Sequence, residues 1–135
     1  MREHGPSVAH YMTRIPRSVE RADSVGRAHS LMRELEIHHL PVTDQGKLVG
    51  EVSMRDLLVI EGLDGVDATR VPVEEAMIED PYTVAPETPI DEVAAHMAAR
   101  RIGSAIVTDG EGVIEGIFTT TDALIVLLHL WKNAP

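Results

Sequence analysis

Gly50-Glu51-Val52-Ser53-Met54-Arg55-Asp56 has a second copy in this chain, Gly116-Ile117-Phe118-Thr119-Thr120-Thr121-Asp122. In each, alternating apolar residues (Leu48 and Val52; Ile114 and Phe118) mark the end of a half-buried strand. A hydroxyl residue follows, and three positions on an aspartate, so a strand runs straight into a helix. Two readings are open for Ser53-x-x-Asp56 and Thr119-x-x-Asp122. One is a capping-box-like helix start, in which the hydroxyl accepts from a free backbone N–H and the acid offsets the positive helix end. The other is a corner that holds a phosphorylated sugar, with N–H groups taking the phosphate and the carboxylate taking ribose hydroxyls. Both jobs can coexist, and the duplication adds weight to the second.

Sliding the chain by 65 residues aligns Val8, Met12, Pro16, Val19, Met32, Ile37, Val42, Thr43 and Asp44 with Val73, Met77, Pro81, Val84, Met97, Ile102, Val107, Thr108 and Asp109. One inserted turn residue raises the offset to 66, and Gly46, Gly50, Asp56 and Leu58 then meet Gly112, Gly116, Asp122 and Leu124. Identities in the same order across the whole unit imply two copies of one supersecondary unit.

Each copy parses alike. Ser7 and Pro72 precede short helices at residues 8–12 and 73–77, and loops with Pro16 or Pro81 lead to short strands at 17–20 and 82–85. Ser24 and Thr88 are the expected N-caps of helices whose buried faces are Val25, Ala28, Met32 and Leu35, and Ile90, Val93 and Met97. Pro89 suits a first helical turn, where its missing N–H is not needed. Strands at 39–43 and 47–53, and at 104–108 and 113–119, are joined by Asp44-Gln45-Gly46 and Asp109-Gly110-Glu111-Gly112, which mark tight hairpins. Helices from 54 to about 63 and from 120 to about 132 close the copies. The expected division is repeat 1 at 7–62, a linker at 63–71 and repeat 2 at 72–131. The last helix carries Leu124, Ile125, Val126, Leu127, Leu128, Leu130 and Trp131, apolar nearly all round. Such a helix is expected to be buried against a second chain, making a homodimer; the alternative is that it caps the core.

The 135 residues with 44% hydrophobic content suit one compact domain or two small repeats sharing a core. No apolar run is long enough to cross a bilayer, and Met1-Arg2-Glu3-His4-Gly5-Pro6 lacks the apolar core of a signal peptide, so a soluble cytoplasmic protein without membrane contact is expected. Absence of cysteine excludes disulfides, thiolate catalysis and zinc–thiolate or iron–sulfur sites. A net charge of −10, from 22 acids and 12 bases, argues against a nucleic-acid partner.

With these residues in view, the chain resembles a tandem pair of CBS (cystathionine β-synthase) domains, a Bateman module, over residues 7 to 131. The resemblance rests on Val8-x-x-x-Met12, Ile37-His38-His39-Leu40-Pro41-Val42-x-Asp44 and Gly50-x-x-Ser53-x-x-Asp56. In the second copy it rests on Val73-x-x-x-Met77, Ile102-Gly103-Ser104-Ala105-Ile106-Val107-x-Asp109 and Gly116-x-x-Thr119-x-x-Asp122. It implies an α+β, sandwich-like fold of two βαββα repeats packed through their sheets with pseudo-two-fold symmetry. It also implies a stand-alone regulatory module, commonly a disc-like homodimer, that senses AMP, ADP, ATP or S-adenosylmethionine between the copies and signals to an unidentified effector protein.

Carried over residue by residue, the resemblance implies one ligand site from Ile78, Thr83 and Val84 with His38, His39, Ser53, Arg55 and Asp56. The other implied site combines Thr13, Ser18 and Val19 with Gly103, Ser104, Thr119, Thr121 and Asp122. The first has a fixed cation and two imidazoles to offset phosphate charge, so it is expected to take polyphosphates; the second, with hydroxyls and glycine, suits a neutral adenosine moiety, a single phosphate or nothing.

No cofactor and no metal are expected. His38 and His39 are adjacent in a strand and point to opposite faces, so they do not easily share one ion, and His4, His10, His29, His96 and His129 show no ligand spacing. Ser53, His38 and Asp56 are the right types for hydrolysis, but Ser53 sits where a cap is wanted and no nucleophile elbow or oxyanion loop accompanies it, so no enzyme is expected. The competing expectation is a ligand-free interaction or dimerisation module working through its apolar C-terminal helix.

Overall fold

The computed structural model describes residues 5–14 and 16–134, so the calls made on Met1 to His4 lie outside the described residues. In chain order the elements are α1 (Val8–Tyr11), β1 (Thr13–Arg14), β2 (Val19–Glu20), α2 (Val25–Leu35), β3 (His39–Asp44), β4 (Lys47–Ser53) and α3 (Met54–Glu61). A single 3-10 turn (Val73–Glu75) follows, then β5 (Ile78–Glu79), β6 (Thr83–Val84), α4 (Ile90–Arg100), β7 (Ser104–Thr108), β8 (Ile114–Thr119) and α5 (Thr120–Lys132). They form an α+β fold with two four-stranded sheets, ordered β2-β3-β4-β5 and β1-β8-β7-β6.

The chain divides into two compact units, one of Arg17–Pro81 and one made by Met1–Pro16 with Tyr82–Pro135. In the first, β2 runs parallel to β3 while β3–β4 and β4–β5 are antiparallel. Its core is one face of that sheet (Leu40, Val42, Val52) packed on Val25, Ala28, Leu31 and Met32 of α2 and Leu57 of α3. In the second unit Ala105, Val107 and Phe118 pack on Val8, Ile90, Val93, Met97 and Val126. The expected helical stripes are therefore the buried ones, with Leu31 added and Leu35 only partly covered. At the first hairpin Gln45 (φ 53°) and Gly46 (φ 83°) are both left-handed, the twist that a two-residue turn between antiparallel strands requires.

These units cut the chain differently from the sequence repeats. β5, which with the 3-10 turn opens the second repeat, completes the first sheet; β1, which with α1 opens the first repeat, completes the second. The lead-in segments also take over helix capping. Val25 N–H donates to Val71 carbonyl at 2.8 Å, Val73 N–H to Asp23 carbonyl at 2.6 Å, and, in the second unit, Ile90 N–H to Pro6 carbonyl at 2.9 Å and Val8 N–H to Thr88 carbonyl at 2.8 Å. Ser24 caps α2 as expected, its hydroxyl accepting from Arg27 N–H. Thr88 does not cap α4: the N-cap is Pro89, without a side-chain bond, because Pro6 satisfies the first helical N–H. The strands expected at 17–20 and 82–85 shrink to two residues each, the helix expected at 73–77 is one 3-10 turn, and β1 and β5 were not expected.

α5 buries only Val126 in the single chain, while Leu124, Ile125, Leu127, Leu128, Leu130 and Trp131 stay between 52% and 79% exposed. Through Val126 and Ala123 it touches the core of its own unit, and the rest of its apolar surface is uncovered in the single chain. Among the described residues no helix is long and apolar enough to cross a membrane.

Gly50 and Gly116 are where the lead-in segments approach most closely. A Cβ on Gly50 would lie 2.6 Å from Met77 Sδ and 2.8 Å from Ile78 carbonyl oxygen; on Gly116 it would meet Met12 Sδ and come within 2.9 Å of Thr13 carbonyl oxygen. A thioether can swing aside but the strand backbone cannot, so Gly50→Ala and Gly116→Ala are each expected to cost about 1–3 kcal/mol by overpacking. Urea unfolding reads this loss, and Gly110→Ala, whose Cβ would meet open space, is the control.

Candidate functional site

Both strand-to-helix corners are full capping boxes. Asp56 N–H donates to Ser53 Oγ at 3.2 Å, while Asp56 Oδ2 accepts from Ser53 N–H at 2.9 Å and from Ser53 Oγ at 2.8 Å. In the copy, Asp122 N–H donates to Thr119 Oγ1 at 3.5 Å, and Asp122 Oδ2 accepts from Thr119 N–H at 2.9 Å and from Thr119 Oγ1 at 3.2 Å. The first helical N–H of each, Met54 and Thr120, donates to the carbonyl of His38 (2.9 Å) or Gly103 (3.1 Å). The caps consume Oδ2 and the hydroxyl proton; Oδ1 of each aspartate takes no part in the box.

Strand alternation decides which residues share the sheet face turned away from the helices. In the first unit His39 lies opposite Ser53, and Glu51 lies opposite both Pro41 and Ile78. These five residues share that face, at the end of which Asp56 caps α3. In the second unit Ser104 lies opposite Thr119, Ile117 opposite both Ile106 and Thr13, and Thr83 beside Ile106.

Each expected ligand set divides between the two units. His38, His39, Ser53, Arg55, Asp56 and Ile78 belong to the first unit, and Thr83 and Val84 to the second. Thr13, Gly103, Ser104, Thr119, Thr121 and Asp122 belong to the second, and Ser18 and Val19 to the first. Val19 faces the core and is 3% exposed, so its side chain is packing; Val84 likewise packs on the second core. Ser104 is buried at 4% exposure, whereas Arg55, Thr121 and Ile78 are exposed.

A hollow of about 470 Å³ lies in the second unit beside Thr83, Val84, Glu87, Asp109 and Glu115. It sits at the hairpin end of β7, away from the Ser104–Thr119 end where Asp122 caps α5. Its acidic rim is a poor place for phosphate. Among the described residues no group of three His, Asp or Glu is arranged to hold a metal ion; His4 lies outside them. Glu51 is the residue that sequence reading passed over. Its signal was available, since it stands two places before Ser53 and so shares its face.

Residues 8–61 and 73–129 each match the CBS domain family. The chain belongs to the CBS-domain family. Among solved structures, AcuB of Vibrio cholerae is 34% identical to this CBS-domain pair, with a TM-score of 0.84 over 97% of this chain and 98% of that one. The CBS domain pair of MJ0100, solved with 5′-methylthioadenosine and S-adenosyl-L-methionine, is 25% identical, with a TM-score of 0.82 over 91% and 96%. CBSX2 of Arabidopsis thaliana, solved with AMP, is 26% identical, with a TM-score of 0.84 over 94% and 99%. An inosine-5′-monophosphate dehydrogenase of Korarchaeum cryptofilum is 36% identical over 105 residues, which are 78% of this chain and 21% of that protein. The chain spans 21–31% of the length of the first curated relatives it matches.

In this CBS pair the half-buried His39 is held below the ordinary imidazole range, first by burial and then by the neighbouring His38, with Asp56 pulling the other way. The unfolded chain therefore takes up a proton at His39 before the folded chain does, and stability falls as pH drops below about 6.5 until the folded imidazole also protonates. His39→Gln removes that contribution. Its melting temperature is expected to fall less than that of the wild type between pH 7.5 and pH 5.5, as read by scanning calorimetry.

Proposed function

We propose that this CBS-domain pair is a non-catalytic regulatory module. It binds an adenosine-containing ligand, AMP, ADP, ATP or S-adenosylmethionine, at its duplicated corners and signals occupancy to a separate effector. One observation carries the reading: at both corners the aspartate caps its helix through Oδ2 alone, so Oδ1 is left to accept from ribose hydroxyls without breaking the helix start. The AMP bound to CBSX2 and the S-adenosyl-L-methionine bound to MJ0100 support the ligand class. Ser53 and Thr119 serve in this reading as helix caps, each hydroxyl accepting from the N–H of its aspartate.

The corners divide the work. Arg55, His38 and His39 stand at the first where the second has Thr121, Gly103 and Ser104, so ATP and ADP belong to the Asp56 corner. The exposed face of α5 supports a second part of the reading, a homodimer. Six large apolar side chains on one helix form a patch that a monomer rarely leaves in water, and a second copy with the same uncharged face covers it without burying a charge.

A ligand bound only by the folded chain at 100-fold over its Kd adds about 2.7 kcal/mol to stability. AMP, ADP, ATP and S-adenosylmethionine are therefore to be compared by thermal shift, and at least one is expected to raise the melting temperature by several degrees. No shift with any of them favours the interaction module working through α5. In titration calorimetry Arg55→Gln is expected to weaken ATP more than AMP; loss of ATP binding in Asp122→Asn but not in Asp56→Asn reverses the assignment of the corners. Light scattering on a sizing column is expected to give a dimer for the wild type and a monomer for Leu128→Glu.

A further inference from the structure

The sheet face that carries Ser53 bears a charged pair that its copy lacks. His39 lies across the ladder from Ser53, and Glu51, two residues earlier on β4, is its diagonal neighbour on the same face. His39 Nδ1 stands 4.0 Å from a Glu51 carboxylate oxygen, and the two side chains are 23% and 14% exposed. Among the described residues Nδ1 is buried and makes no hydrogen bond. In the second sheet the same two places are held by Ser104 and Ile117. The second unit builds the same sheet without an imidazole or a carboxylate at these places, and an unpaired Nδ1 on a half-buried ring is a cost that a ligand-linked role would offset.

We propose that Glu51 and His39 form a proton-linked pair, through which a phosphate-bearing ligand bound at the Asp56 corner takes up one proton from solvent. The inference rests on the nucleotide reading above and adds Glu51 as a positioning residue. Among the described residues the titratable groups acting on His39 are His38 just before β3, Glu51 of β4 and Asp56 of α3, and β5 presents the uncharged Ile78 on this face. Burial and then His38 hold the ring below the ordinary imidazole range in the free protein. A phosphate brings further negative charge to the open side of the ring. The imidazole then takes a proton, Nδ1–H closes the gap of about 1 Å to donate to Glu51, and Nε2–H faces the phosphate. No covalent bond changes. The Asp122 corner, with Ser104 and Ile117, takes up no proton in this way.

Titration calorimetry with ADP near pH 7, run in PIPES and in Tris, reads proton uptake from the difference in apparent enthalpy. The terminal phosphate of ADP itself titrates near pH 6, so the informative quantity is the excess of wild type over His39→Gln. The expected excess is up to about one proton, reduced in Glu51→Gln, with wild-type affinity rising by up to about tenfold per pH unit as pH falls through the window. His39→Ser, the residue the copy carries at position 104, serves if His39→Gln does not fold. The His39 ring signal in NMR gives a second reading, its midpoint moving to higher pH when ADP is added. Equal proton uptake in wild type and His39→Gln, or an unmoved midpoint, overturns this inference and leaves the nucleotide reading standing. Absence of ADP binding in the wild type overturns the inference, and a parallel negative result with AMP, ATP and S-adenosylmethionine overturns the nucleotide reading with it.

Discussion

The close approach of a strand backbone and a methionine to Gly50, and of their counterparts to Gly116, is the contact on which the architecture depends. Each glycine lies in the edge-side strand of a three-stranded core and leaves just enough room for β5 or β1 to pair there. The segment that fills the space comes from the other sequence repeat. A side chain at either glycine removes the room for the fourth strand, and with it the backbone bonds that the lead-in segments make to the starts of α2 and α4. The glycine that opens the repeated motif is thus a packing residue before it is anything else.

The same motif's hydroxyl and aspartate work at a second level. A helix start buried at the end of a sheet leaves N–H groups that need partners, and Ser53 with Asp56, or Thr119 with Asp122, supplies them within one turn. Because each box uses one carboxylate oxygen, capping and ligand recognition are compatible on the same aspartate. That compatibility explains how the motif can be duplicated for structure while its surroundings diverge. The divergence is concentrated on the sheet face turned from the helices, where His39 and Glu51 stand in one unit and Ser104 and Ile117 in the other. One copy thus carries a polar face and the other a more apolar one on similar backbones.

Charge enters at the same points. A chain with net charge −10 repels a nucleotide at a distance, so any affinity for phosphate must come from local cations. Arg55 at the first turn of α3 and the imidazoles beside it are the cationic or ionisable groups that the first corner brings together, whereas the corresponding positions of the second are Thr121, Gly103 and Ser104. α5 shows the opposite extreme, a helix whose exposed surface is almost entirely apolar.

Much of this was legible without coordinates. The repeat offset, the βαββα order, both helical stripes and the hairpins follow from alternation, 3.6-residue spacing and turn residues, all local signals that a chain of this length carries reliably. The family and the capping boxes were readable for the same reason. What tertiary structure alone decided is non-local. β1 and β5 are two residues long, too short to show alternation, and they exist only because a sheet edge from the other repeat accepts them. Thr88 lost its capping role to a carbonyl of Pro6, more than eighty residues away in sequence. Glu51 became a neighbour of His39 only through a strand register, and α5 was found to set only Val126 and Ala123 against the core while its other apolar residues stay exposed. The sequence by itself determined which residues form strands and helices; which repeat each short strand would serve was settled by packing, because the glycine that admits a strand does not name the strand it admits.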